Sequence, residues 1–217
     1  MSDNYRWIYS DVSTYEEDLN NLKNLWSQIS NYFKDYDNKL LFEFYNEIMD
    51  VNKSKTDAAN MRILHDMSQK LITLVRNTGG NNATRFLIIP TYGAQLDPIE
   101  IESLMYKPFI DTIDGHLILE IHGYRSQEDR IVRMFRIINN YSRMYKMPIL
   151  IGEFGMTEAE SDQATRVKVA GLFSKYASEN GIPIYWWDNG SNYRLFNRKT
   201  LAIDYPDIVE ALFSYYH

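Results

Sequence analysis

The sequence predicts an α/β protein built on a parallel sheet. Three observations carry that prediction. Short apolar runs recur along the chain, longer stretches with helical spacing lie between them, and successive runs are spaced by roughly 30 to 45 residues, the rhythm of βαβ units. With 217 residues the chain can bury one substantial core. A whole eight-fold βα barrel typically needs about 250.

Five runs are too short for helices and rich in Ile, Leu and aromatics, so each reads as a buried strand. They are Lys39–Tyr45 (KLLFEFY), Arg85–Pro90 (RFLIIP), His116–Ile121 (HLILEI), Pro148–Ile151 (PILI) and Ile182–Trp187 (IPIYWW). Between them lie helical stretches. Asp18–Asp35 sets Leu19, Leu22, Leu25, Trp26, Ile29 and Phe33 on one stripe. Asp57–Asn77 does the same with Met61, Leu64, Met67, Leu71, Leu74 and Val75, and Gly79-Gly80 gives a stop signal. Gln127–Tyr145 and Glu158–Ser178 repeat the arrangement, the latter stopped by Asn180-Gly181, and Pro206–Tyr216 predicts a last helix. No linker composition or sequence repeat interrupts the chain, so 1–217 reads as a single domain.

Composition narrows the partners. Hydrophobic residues make up 45% and aromatics 14%, as in a globular protein. Seventeen tyrosines supply apolar area with a polar tip, which suits cores and sugar-binding clefts alike. A net charge of −6 argues against nucleic acid or an anionic membrane as partner. The chain has no cysteine, which excludes disulfides and thiolate metal sites. The polar start MSDNYRWIYSD is followed by no apolar h-region, so no signal peptide is expected in this chain, and no apolar run is long enough to span a membrane. The sequons Asn52-Lys53-Ser54, Asn82-Ala83-Thr84 and Asn140-Tyr141-Ser142 matter only in a protein secreted by a eukaryote.

In βα proteins chemistry sits at the carboxyl ends of the strands. Those ends carry Asn46-Glu47, Thr91-Tyr92-Gly93, His122-Gly123-Tyr124, Gly152-Glu153 and Trp187-Asp188-Asn189-Gly190. Taken singly, each has a structural explanation. A strand-end Glu is commonly a solvated loop or cap residue, and His122 a hydrogen-bonded core histidine. Period-2 alternation turns only one of Trp186 and Trp187 toward the interior. Glu43 and Glu120, inside apolar runs, are odd as core residues and receive no role. The coincidence of Glu47, His122, Glu153 and Trp187 on one face points to a carbohydrate-cleaving site. Such a site needs paired carboxylates, amide and imidazole groups for sugar hydroxyls, and aromatic faces for sugar rings.

The segments LLFEFYNEI, GGNNATRFLIIPTYGA, LILEIHGY, PILIGEFG and GIPIYWWDNG, in this order, closely resemble glycoside hydrolase family 5, in particular its endoglucanases. The resemblance runs from about Trp7 to the C-terminus. It implies a (β/α)8 TIM-barrel type fold, of which five βα units stand in this chain as a partial barrel. It implies a retaining, endo-β-1,4-glucanase-like hydrolase acting on a β-linked glucan. Carried over residue by residue, Glu47 is similar to the family's general acid/base and Glu153 to its nucleophile. Asn46, His122, Tyr124 and Trp187 are similar to its substrate-binding residues, with Asn46 on the 2-hydroxyl and Trp187 stacked under a ring. Glu47 must then hold a proton near neutral pH, through burial and the charge of Glu153. No metal and no cofactor is implied, and family habit implies an extracellular enzyme.

The chain departs from the family pattern twice. Ile48 follows Asn46-Glu47 where the family usually has Pro, which stiffens the turn. The first three strands are expected to be missing, because Tyr5-Arg6-Trp7 lies about where the third has just ended. Their arginine beside the nucleophile has no counterpart, Arg6 being a poor match. A preceding segment, a partner chain or self-association would then complete the barrel. The alternative to an active hydrolase is a relative that keeps the sugar cleft and does not turn over alone. An aldolase or metal-dependent hydrolase is disfavoured, since the sequence has no phosphate-gripping Gly-rich loop and only four histidines.

Overall fold

The computed structural model describes residues 8–50, 52 and 57–216. Tyr5-Arg6-Trp7 and the Lys53-Ser54 part of the first sequon lie outside the described residues. Strands and helices alternate: α1 (Tyr15–Phe33), β1 (Phe42–Glu43), α2 (Ala58–Asn77), β2 (Leu87–Pro90), α3 (Pro98–Leu104), β3 (Leu117–His122), α4 (Glu128–Tyr145), β4 (Ile149–Phe154), α5 (Gln163–Asn180), β5 (Ile184–Trp186) and α6 (Pro206–Phe213). Strand order follows the chain, so the expected parallel α/β architecture of five βα units is present. By contacts the chain forms two compact units, Ser2–Glu120 and Ile121–His217, and the division falls inside β3.

In the first unit β1 and β3 each pair in parallel with β2, in the registers Phe42↔Leu87 and Leu87↔Leu117. All four residues of β2 are buried, as expected of a strand covered on both faces. The expected strand Lys39–Tyr45 shrinks to Phe42–Glu43. The Phe44 N–H still donates to the Ile88 carbonyl at 3.2 Å, but the next donor in this register would be Pro90, which has no N–H, and the Phe44 carbonyl accepts the indole N–H of Trp26 at 2.9 Å instead. Helix α2 is capped by Asp57, whose carboxylate accepts the N–H groups of Ala59 and Asn60. Met61, Leu64, Met67, Leu71 and Val75 from its expected stripe are fully buried. The stripe of α1 needs a correction: Leu25 is exposed and Ser30 is buried in its place. The Ser30 hydroxyl donates to the Trp26 carbonyl at 2.6 Å, so this polar residue enters the core already satisfied. Of the two carboxylates inside apolar runs, Glu43 is exposed and Glu120 is buried. Helix α3 was not expected, although Asp97-Pro98 is a helix-start signal.

His65 of α2 is fully buried. Its Nδ1 lies 2.8 Å from the Leu104 carbonyl and its ring stacks on Phe109 at 4.2 Å. Burial lowers its pKa; the Leu104 carbonyl opposes that shift, Lys107 adds to it, and Asp66 opposes it. The unfolded chain therefore takes up this proton first as pH falls. The stability His65 contributes is complete above its ordinary value of about 6.5 and is lost as pH drops toward the lowered folded value. Denaturant unfolding at pH 7.5 and 5.5 should show a loss of up to about 1.4 kcal/mol per pH unit from this group. His65→Gln should flatten that slope. An unchanged slope would put the pH sensitivity elsewhere.

In the second unit β4 pairs in parallel with β5, Ile151 opposite Ile184 and Phe154 opposite Trp186, with a register irregularity between the two positions. Phe154 stacks on Phe173 of α5 at 4.2 Å. Helix α5 begins at Gln163 rather than Glu158. The Asp162 carboxylate accepts the Thr165 N–H and caps it, while Thr157 and Glu160 close a separate turn. Gly181, at φ 63°, ends it in the left-handed conformation, as the Asn-Gly signal predicts. Helix α6 ends at Phe213, three residues short of the expected Tyr216.

Candidate active site

The first unit contributes Asn46 and Glu47, in the turn that leaves β1. Phe44 and Tyr45 anchor the turn from below. Both are buried, Phe44 packs edge-on against Trp26 at 5.3 Å, and the Tyr45 hydroxyl shares a 2.6 Å hydrogen bond with Ser68. Burial raises the Tyr45 pKa well above the usual phenol range; the Ser68 hydrogen bond opposes that shift and the Glu120 charge adds to it. Above this base Asn46 is exposed and Glu47 half-buried. Tyr92, at the next strand end, is fully buried and takes part in no open surface.

The second unit brings three of the expected residues together. Glu153 is the fifth residue of β4, with its side chain 15% exposed. The Tyr124 hydroxyl donates to Glu153 Oε2 at 2.7 Å, and His122 Nδ1 lies 3.4 Å from the same oxygen. The end of β3 is tied to β4 by the Gly123 N–H, which donates to the Glu153 carbonyl at 2.7 Å. Gly123 packs closely against its neighbours. A Cβ there would come within 3.1 Å of Ile151 and Met134. The carboxylate of Glu153 is thus oriented by a phenol and an imidazole carried two residues apart on one strand end.

The tryptophans divide as alternation requires. Trp186 is half-buried, edge-on to Phe154 at 5.4 Å, and donates its indole N–H to the Tyr193 carbonyl at 2.9 Å. Trp187 is 39% exposed, an open aromatic face, and its main-chain N–H donates to the Phe154 carbonyl.

Sequence reasoning missed Tyr193. Its ring lies edge-on to Tyr124 at 5.8 Å and fills the space over Gly155, where a Cβ would meet it at 3.0 Å. Burial, then the charges of Glu160 and Glu153, raise its pKa. Tyr193 sits in an irregular loop with no periodicity to flag it. Asp188 organises that loop by accepting the N–H groups of Gly190, Leu195 and Phe196 at 2.7, 2.9 and 3.2 Å. Burial alone would raise the Asp188 pKa; these donors and the Arg198 charge outweigh it and hold it below the usual carboxylate value.

Among the described residues no helix is long and apolar enough to cross a membrane. Comparison with known proteins points to one family. Residues 3–193 match the family model of the cellulases, glycosyl hydrolase family 5. The cellulase/esterase CelE of Acetivibrio thermocellus is 30% identical over 234 residues, covering 95% of this chain and 28% of that protein. A GH5-4 broad specificity endoglucanase from Ruminococcus champanellensis with bound cellotriose superimposes with a TM-score of 0.88 at 26% identity, covering 97% of this chain and 67% of that one. A family 5 lichenase from Caldicellulosiruptor sp. F32, in complex with cellotetraose, gives 0.87 at 25% identity, covering 97% and 66%. The chain therefore spans about two thirds of the solved relatives and far less of CelE. These likenesses extend the five βα units to the (β/α)8 fold class, and the match over residues 3–193 makes the chain a member of the cellulase family, glycosyl hydrolase family 5.

Proposed function

We propose that this chain supplies both catalytic carboxylates of a retaining hydrolase of β-linked glucans, and that 1–217 works as one catalytic domain. The observation that carries the reading is Glu153 at its strand end, with Tyr124 donating to it and His122 beside it. Ionised Glu153 attacks carbon 1 of the sugar. The glycosidic carbon–oxygen bond breaks, and the departing oxygen takes the proton of Glu47. In the second step Glu47, now a carboxylate, takes a proton from water. The water oxygen attacks carbon 1 and releases Glu153. Retention requires the two carboxyl groups to stand about 5–5.5 Å apart during reaction. Asn46 bonds the 2-hydroxyl, His122 and Tyr124 line the same subsite, and Trp187 stacks under a ring. Bound cellotriose and cellotetraose in the solved relatives support a glucan substrate, and membership of a cellulase family supports an extracellular setting.

A test is release of reducing sugar from soluble β-glucan. Glu47→Ala should cut hydrolysis by about 10²- to 10⁴-fold. It should keep the first step on an activated aryl glycoside, whose leaving group needs no proton, and azide should restore turnover there. Equal losses on both substrates with no azide rescue would remove Glu47 from the acid/base role.

One observation favours a second reading, in which turnover needs a further segment. Among the described residues β5 is an edge strand, with Tyr185 54% exposed. Beside it runs an apolar groove of about 580 Å³, lined by Pro183, Ile184, Leu195, Phe196, Val209 and Phe213. An open apolar edge of this kind invites a strand. Because the chain covers only 66–67% of the solved relatives, which are thus nearly half as long again, the proposed occupant is a βα segment of a longer polypeptide. Light scattering across protein concentration checks this. A monomer that hydrolyses glucan unaided would overturn the second reading, and a dimer would make a second copy the occupant.

A further inference from the structure

We propose that Tyr92 is a positioning residue for Glu47, acting through the turn 46–50. The proposal rests on the reading of Glu47 as acid/base. It starts from the departure at position 48, where Ile stands and the family pattern has Pro. A proline ring would fix the turn; isoleucine leaves it a free torsion and an extra N–H. The structure supplies other restraints. The Ile48 N–H donates to the Asn46 carbonyl at 3.1 Å, closing the turn on itself. The Ile48 carbonyl accepts the Gly93 N–H at 2.8 Å, and the Asp50 N–H donates to the Tyr92 hydroxyl at 3.0 Å. The Met49 carbonyl accepts the Ser10 N–H at 3.1 Å. Main-chain groups of Ile48, Met49 and Asp50 are thus each held from outside the turn.

Tyr92 can bear this load because its own place is fixed. It is fully buried, and the preceding Thr91 N–H donates to the Glu120 carbonyl of β3 at 3.0 Å. Gly93 follows at φ 57°, close under Met49: a Cβ there would meet the Met49 Cγ and Sδ at 3.1 Å. Burial pushes the Tyr92 phenol up to about 12, with the Asp50 N–H opposing and the Asp50 carboxylate adding to the shift. The hydroxyl therefore stays protonated across the working pH range and faces the Asp50 carboxylate as well as its N–H. Ile48, Met49 and Asp50 are all buried, so water cannot substitute cheaply for a lost partner.

The experiment compares the full chain with Tyr92→Phe. A loosened acid/base turn should lower kcat/KM on β-glucan by about 10- to 100-fold, since small misplacements of a catalytic group cost that much. On a dinitrophenyl cellobioside, whose departure needs no proton, kcat/KM should stay within about threefold. Gly93→Ala, which keeps the hydroxyl and displaces Met49, should show the same split and covers the case in which Tyr92→Phe fails to fold. Equal losses on both substrates, or none on either, in a folded variant would overturn the proposal. If the wild-type chain turns over neither substrate, the proposed function fails separately. Hydrogen exchange then decides the clamp: the amides of Ile48 and Asp50 should exchange at least about tenfold faster in Tyr92→Phe, and unchanged exchange would refute it.

Discussion

Glu153→Gln should lower β-glucan hydrolysis on the order of 10⁴-fold or more, the usual scale for losing a covalent nucleophile, while leaving the fold in place. The amide is nearly isosteric with the carboxylate, and its oxygen can still accept the Tyr124 hydroxyl now 2.7 Å away. What it cannot do is form a glycosyl ester. Stability should therefore change by no more than about 1 kcal/mol. Two measurements check this together: sugar release, and the urea midpoint of the same preparations. A 2-fluoro glycoside should add its sugar mass to Glu153 in the wild type and add none in the variant. If Glu153→Gln kept hydrolysis within tenfold of wild type, Glu153 would not be the nucleophile. If the wild type showed nothing above the variant, the chain alone would not be an active enzyme.

Arg85→Leu should be the most destabilising single change in the first unit, costing about 3–5 kcal/mol. Arg85 is 1% exposed and lies under the link between α1 and β1. Its Nε donates to Asn82 Oδ1 at 2.8 Å. Nη1 donates to the carbonyls of Asp37 and Leu40, and Nη2 to those of Phe33 and Tyr36. The guanidinium also lies 4.7 Å over the Phe42 ring. Burial lowers its pKa and the Asp37 charge opposes that shift. Leucine would fill much of the space but strand these acceptors, which cluster where α1 ends and the chain turns toward the strand preceding Glu47. Arg85→Lys should recover only part of the loss, because one ammonium with three donors cannot satisfy five separated acceptors. A domain has about 5–15 kcal/mol in total, so the leucine variant should unfold at a much lower urea concentration. A shift below about 1 kcal/mol would mean that water or a rearranged link replaces the guanidinium.

The two predictions differ in how far each was legible in the sequence. Glu153 was legible because the signal is local: an apolar run of strand length stops on a carboxylate between glycines, and the Asn-Glu, His-Gly-Tyr and Trp-Trp endings recur at the same phase of the βα repeat. Arg85 was not. Its partners lie from 3 to 52 residues away, and four of the five are main-chain carbonyls that carry no side-chain signature. The same holds for Tyr193, which reaches Tyr124 from an irregular loop, and for Tyr92, which read as one more strand-end tyrosine and is the fully buried prop of the turn after Glu47.

By itself the sequence determined the parallel α/β class, the five strands, the major helices to within a few residues, the family, and the candidate carboxylates. Periodicity and strand-end residues report what happens within one element, because burial of one face repeats along the chain. Only the tertiary structure decided that Ser30 rather than Leu25 enters the core, that Trp26 supplies the donor for the Phe44 carbonyl, and that one phenol orients Glu153 while another steadies the turn carrying Glu47. Those outcomes depend on which buried polar groups find partners across distant elements, a requirement each site must meet in three dimensions and that no local pattern encodes.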